Sequence, residues 1–153
     1  MSRKEANTLD IVLMGREYRV ACTPDEIDEK PLGRKICGES IVFYRGEEGR
    51  VAALEDFCPH RGAPLSLGYV SEGKLVCGYH GLTMGADGKT VAMQNLPGRA
   101  FEPIRSYPVA ERHGYVWIWP GDAALANVND IPTPAWADNP EWAFGGGMFH
   151  VRC

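Results

Sequence analysis

Two short loops carry residue types that bind soft metals. FCPHRGAPL, residues 57–65, sets Cys58 and His60 one residue apart between Pro and Gly. CGYHG, residues 77–81, repeats the pairing as Cys77 and His80. Thiolate and imidazole together favour zinc or iron over the hard, oxygen-seeking cations. Two Cys and two His can close a tetrahedral zinc site, but finger-type sites place the Cys pair first and the His pair later. Here each loop supplies one of each. That alternation suits two metal ions, one taking both thiolates and the other both imidazoles, as in a [2Fe–2S] centre with mixed ligation. A zinc site and plain unliganded side chains stand as competing readings.

The residues around the four donors fit a metal-bearing loop. Gly62, Gly78 and Gly81 let the chain turn closely around sulfur, because glycine reaches backbone conformations closed to other residues. Pro59 and Pro64 stiffen the first loop, and Leu96-Pro97-Gly98 is read as a third loop covering the site. The remaining cysteines read differently. Cys22 and Cys37 lie in apolar runs (RVACT, RKICG) and are read as buried, inert thiols, and Cys153 carries no inference. Five Cys with no export signal speak against a disulfide framework. His113 in ERHGY is read as a solvated turn residue, and His150 as a strand residue. Arg61 is either simply exposed, or it steers an acidic partner or tunes the site. Trp117 and Trp119 alternate with Val116 and Ile118 and are read as sheet packing, and Trp136 and Trp142 flank a linker.

Strands joined by tight turns must position these loops. The chain has 18 Gly and 11 Pro in 153 residues, which favours short strands over long helices. EYRVAC, RKICG, SIVFYR, VAALED, LGYV, KLVCG, KTVAM and YVWIW read as strands. GEEG at 46–49 and ADGK at 86–89 read as hairpin turns, the second on its Asp-Gly pair. Thr23, Pro24, Asp25 and Glu26 form a capped-turn signature. The expected division is an N-terminal extension 1–16, a domain 17–120, and a tail 121–153. That tail reads as an extended linker followed, at EWAFGGGMFHVRC, by the opening of a domain the chain does not contain.

Composition bounds the partners. Hydrophobic residues make up 44% of the chain and the net charge is −4, with both signs interspersed. Neither nucleic acid nor an anionic membrane is indicated. IVLM near the N-terminus is too short for a signal-peptide core, and no run approaches the ~18 apolar residues of a membrane span. A cytoplasmic location is expected.

On VACTPDEIDEKPLGRKICGESIVFYRG, VAALEDFCPHRGAPLSLGYV, GKLVCGYHGLTMGADGKTV, VAERHGYVWIWPGD and NPEWAFGGGMFHVRC, the chain resembles the N-terminal part of Rieske non-haem iron oxygenases of the vanillate O-demethylase kind. The resemblance spans residues 20–153. It implies an all-β fold, a Rieske-type antiparallel β-sandwich with a small cluster-binding subdomain. It implies a [2Fe–2S] cluster with Cys58 and Cys77 on one iron and His60 and His80 on the other. His80 becomes the electron exit towards a mononuclear Fe(II) in the catalytic domain beyond this chain. A flavin and iron–sulfur NADH-dependent reductase becomes the electron donor, and an aromatic methoxy compound the substrate of the complete enzyme. A free-standing Rieske ferredoxin and a zinc-binding module are the alternatives.

Departures from the pattern are informative. Respiratory Rieske proteins carry a disulfide where this chain has Ala63 and Tyr79, and hydroxyl residues where it has Leu82 and Met84. Fewer hydrogen bonds to sulfur leave the reduced cluster less stabilised, so the expected potential lies low in the Rieske range, roughly −150 mV. The N-terminus also departs, with Arg16 and Arg19 flanking EYRV after an added segment.

Overall fold

A computed structural model describes residues 17–134 and 139–141. Trp136, Trp142, His150 and Cys153, with the extension 1–16, lie outside the described residues. Eleven strands make three antiparallel sheets, with no α-helix among the described residues. The expectation of an all-β sandwich with a separate small subdomain is met.

The central sheet has the order β2-β3-β4-β9: β2 Leu32–Ile36, β3 Glu39–Arg45, β4 Val51–Glu55 and β9 Ser106–Tyr107. β2 and β3 are joined at Cys37-Gly38, with φ of 51° and 82°. Two successive left-handed residues make the tight turn whose twist matches a hairpin, and Ile36 pairs with Glu39. Cys37 is therefore exposed in a turn, which corrects its reading as a buried thiol: the apolar run ends at Ile36. Cys22 is buried as expected.

β3 carries an unbroken apolar run because both its faces are covered. Val42 and Tyr44, with Ala52 and Leu54 of β4, enter one core. Ile41 and Phe43, with Ala53, enter another. Behind the second core lies the sheet β1-β11-β10: β1 Arg19–Cys22, β11 Tyr115–Ile118 and β10 Val109–Arg112. Val116 and Ile118 fill this core, and Trp117 and Trp119 are buried. His113 sits in the β10–β11 turn with φ 53°, although its Nε2 is enclosed rather than solvated.

The first core is shared with the sheet β5-β6-β7-β8: β5 Tyr69–Ser71, β6 Lys74–Val76, β7 Leu82–Met84 and β8 Thr90–Met93. This is the small subdomain. Its last hairpin turns at Asp87-Gly88, where Gly88 has φ 79°.

Local signals do what their chemistry dictates. Thr23 N–H donates to the Glu26 carboxylate at 2.7 Å, closing the capping box of the 3₁₀ turn Pro24–Glu26. Arg45 then donates to the carbonyls of Pro24 and Ile27 and pairs with Glu111, holding that turn to β3 and β10.

The segment after Pro120 differs from the extended linker expected. It forms two 3₁₀ turns, Ala123–Leu125 and Val128–Asp130, capped by the side chains of Asp122 and Asn127. Arg105 donates to the carbonyls of Pro120 and Gly121 at 2.6 and 2.9 Å, and Arg112 to that of Val128 at 2.8 Å. Ile131 is buried. Asx caps and arginine-to-carbonyl bonds hold a segment that composition alone reads as loose.

Candidate metal centre

Both donor loops close by the same backbone device. In the first, which follows β4, Cys58 N–H donates to Ala63 O at 2.8 Å and Gly62 N–H returns to Cys58 O at 2.7 Å. In the second, between β6 and β7, Cys77 N–H donates to Leu82 O at 2.8 Å and Gly81 N–H returns to Cys77 O at 3.0 Å. Gly62 and Gly81 occupy equivalent places, with φ of 73° and 71°. A side chain there is strained in any surroundings, which answers why glycine stands at both. Gly78 serves close approach instead: a Cβ on it would lie 3.1 Å from Leu67 O.

The structure brings all four donors to one place. The Cys58 and Cys77 thiols are buried in the core with Leu65, Leu82 and Met84 and lie within hydrogen-bond reach of each other. The His60 and His80 rings meet edge to face with centroids 4.8 Å apart. Burial pushes the Cys58 thiol up, while the backbone N–H groups of His60 and Arg61, aimed at its sulfur, act the other way, and the Cys77 thiol adds to the rise. His60 is pushed down, first by burial and then by the positive charge of His80, Arg61 and Arg99.

The donor set fits a two-iron cluster on the structure's own terms. His80 Nδ1 is buried and has no hydrogen-bond partner. Enclosed polar nitrogens are paired in native proteins, and a metal ion is a partner that imidazole beside thiols suits. Among the described residues no group of three or more His, Cys, Asp or Glu side chains is placed to hold one metal ion; the four donors stand as a thiol pair and an imidazole pair. Donors in two pairs suit two metals better than the closed tetrahedron of structural zinc.

The rim is aromatic. Tyr79 lies against His80 with ring centroids 3.9 Å apart, and the residue is 60% exposed. Phe101 stands edge-on to His60 at 5.5 Å, and Arg99 lies over Phe101 at 5.0 Å. The segment after β8 thus borders the site through Phe101 and Arg99, which sequence reasoning missed: it singled out Leu96-Pro97-Gly98, and no spacing ties Phe101 to His60. Arg61 is exposed. His113 belongs to a turn and is not drawn into the site.

Known proteins resemble this chain in sequence and fold. Residues 17–108 match the family described as the Rieske [2Fe-2S] domain. The vanillate O-demethylase oxygenase subunit of Pseudomonas sp. (strain HR199 / DSM 7063) is 66% identical over 136 residues, covering 89% of this chain and 38% of that protein. The dicamba O-demethylase oxygenase component of Stenotrophomonas maltophilia is 46% identical, over 89% of this chain and 41% of that protein. A crystal structure of dicamba monooxygenase with non-heme iron and dicamba superposes with a TM-score of 0.74 at 44% identity, over 82% of this chain and 39% of that one. The chain thus spans about two fifths of the length of these relatives. No helix among the described residues is long and apolar enough to cross a membrane. With the family match, the paired loops and their enclosed donors identify the chain as a member of the Rieske [2Fe–2S] domain family.

Proposed function

We propose that Cys58 and Cys77 hold one iron and His60 and His80 the other of a [2Fe–2S] cluster. On this reading the chain is the electron-transfer part of an aromatic O-demethylase or hydroxylating oxygenase of the vanillate monooxygenase kind. The observation that carries the ligand set is His80 Nδ1, buried without a partner beside two buried thiols. When bound, such a cluster supplies one-electron storage between a flavin and iron–sulfur NADH-dependent reductase and a mononuclear iron outside this chain. An aromatic methoxy compound is the substrate of the complete enzyme, and the cytoplasm is its compartment. Residues 17–120 act as the redox domain, preceded by the extension 1–16, with 121–153 leading towards the catalytic part.

The chain's own residues divide the work. Leu65, Leu82 and Met84, all fully buried, keep water from the thiol side. The N–H groups of His60 and Arg61 offset negative charge on the Cys58 sulfur. The histidines lie on the partly exposed side, where a partner can approach. His80 is the electron exit, and Tyr79 packs against its ring.

The test is the metal and acid-labile sulfide content of the chain purified without oxygen. Two iron and two sulfide per chain support the cluster. Zinc without sulfide would overturn it.

A further inference from the structure

Beyond its backbone closure, the second donor loop has one long side-chain bond, from Thr83 Oγ1 to Gly81 O at 3.4 Å, whereas the first has a two-bond carboxylate clasp. Asp56 follows β4 and is anchored to β3, its N–H donating to Ser40 O at 2.9 Å. Its carboxylate accepts from Ser66 twice, from the backbone N–H at 2.7 Å and from Oγ at 2.6 Å. The two ends of the loop carrying Cys58 and His60 are thereby joined. Asp56 makes no ion pair among the described residues, so its two acceptor oxygens serve Ser66. β2 makes room for the clasp: a Cβ on Gly33 would meet Ser66 Cβ and Oγ at 3.0 Å.

Ser66 is the middle residue of the 3₁₀ turn Leu65–Leu67, which bears on the second loop. Leu65 is fully buried, and Gly68 N–H donates back to its carbonyl at 2.9 Å. A Cβ on Gly68 would lie 2.0 Å from Val76 O and 3.1 Å from Gly78 N, and one on Gly78 would lie 3.1 Å from Leu67 O. The backbone of 67–68 thus rests directly on 76–78, the stretch that contains Cys77.

We infer that Asp56 is a positioning residue: by clasping Ser66 it seats the turn 65–67 against Gly78 and so sets the gap between the Cys58/His60 and Cys77/His80 pairs. The inference rests on the cluster reading for what fills that gap. Among the described residues Asp56 makes no hydrogen bond or ion pair with either donor pair. It acts as supporting partners of metal ligands do, by holding the frame in which they converge.

The experiment uses the full chain loaded without oxygen, in wild type, Asp56→Ala, Asp56→Asn and Ser66→Ala. The readouts are the rate of cluster loss to a chelator and the electron paramagnetic resonance signal of the reduced centre. Asp56→Ala removes both bonds and should speed cluster loss roughly 10- to 100-fold, with altered g-values. Ser66→Ala keeps the backbone bond and should fall between. Asp56→Asn removes the charge but still offers Ser66 an acceptor oxygen and an amide donor, so it should stay near wild type. Asp56→Ala with wild-type loss rate and signal would overturn the inference, and so would Asp56→Asn behaving like Asp56→Ala, because charge and not the clasp would then be acting. Should Asp56→Ala fail to fold, Ser66→Ala decides: wild-type behaviour there overturns the inference. A wild-type chain that takes up no iron and sulfide would instead remove the cluster reading itself.

Discussion

His60 and His80 come from separate loops, yet their rings meet edge to face with centroids 4.8 Å apart. Each ring sits at the rim, whereas its cysteine neighbour is buried in the core. Replacing His60 or His80 with Ala should therefore abolish iron and sulfide uptake and leave the β-type far-ultraviolet circular dichroism unchanged. Cys58→Ala and Cys77→Ala should also abolish uptake, with about 1 kcal/mol lost from the metal-free fold, since each removes a small buried side chain. Retained stoichiometric iron in either histidine variant would contradict the ligand assignment.

The potential should be low. Leu82 and Met84 are fully buried in the core that holds both thiols, and neither side chain offers a hydroxyl. Voltammetry of the loaded chain should give a midpoint roughly at −150 mV, the lower end of the Rieske range. A value well above zero would refute the link between these two residues and the electronics.

Glycine positions near the site separate crowding from conformation. At Gly68 a Cβ would meet Val76 O at 2.0 Å, so Gly68→Ala should cost about 2–3 kcal/mol, as overpacking does. Gly98 has φ 80° but nothing within 4 Å of a new Cβ. Gly98→Ala should cost only the left-handed penalty of roughly 1–2 kcal/mol. Urea denaturation of both variants in metal-free form checks the order.

Alkali should unfold the chain early. Burial, with Glu26 adding to it, pushes the Cys22 thiol from 9.0 up to about 11. Burial, then Asp87 and Glu47, pushes the Tyr44 phenol from 10.0 up to about 12. Tyr107 is also raised, by burial and by its hydrogen bond to Glu39. A neutral form preferred by the fold contributes stability that is whole below the unfolded value and lost as pH climbs through the folded one. Stability should hold up to about pH 9 and fall between about 9 and 12. The Tyr44 hydroxyl is buried with no partner, so Tyr44→Phe should leave stability unchanged or raise it by about 1 kcal/mol at neutral pH and flatten part of the alkaline loss. Chemical denaturation across this range measures both effects.

Much of the site was legible because its signals are local. Cys58, His60, Cys77 and His80 stand in short Gly-framed loops, and Gly62 and Gly81 mark the turns that close them. The capping box at Thr23–Glu26 and the Asp87-Gly88 turn could be read in the same way. Contacts that close only in space stayed hidden. Phe101 reaches His60 through a fold-back after β8. The carbonyls of Pro120, Gly121 and Val128 are held by Arg105 and Arg112, which lie 15 or 16 residues earlier in the chain. Cys37 misled because apolar neighbours suggest burial, whereas the backbone turns at Cys37 itself. Short β7 and β9 have no periodicity long enough to declare themselves.

β3 sends Val42 and Tyr44 into the core that holds the two thiols, and Ile41 and Phe43 into the core behind β11. One strand is thus the common wall of both halves of the molecule. A ligand that binds only the folded chain raises the stability of every element that unfolds with it. Loading at the loops is therefore coupled to melting on the far side of that wall, so Trp117 on β11 becomes a remote thermometer of occupancy. The converse holds too: a lesion behind β11 loosens the grip on metal without touching a single donor.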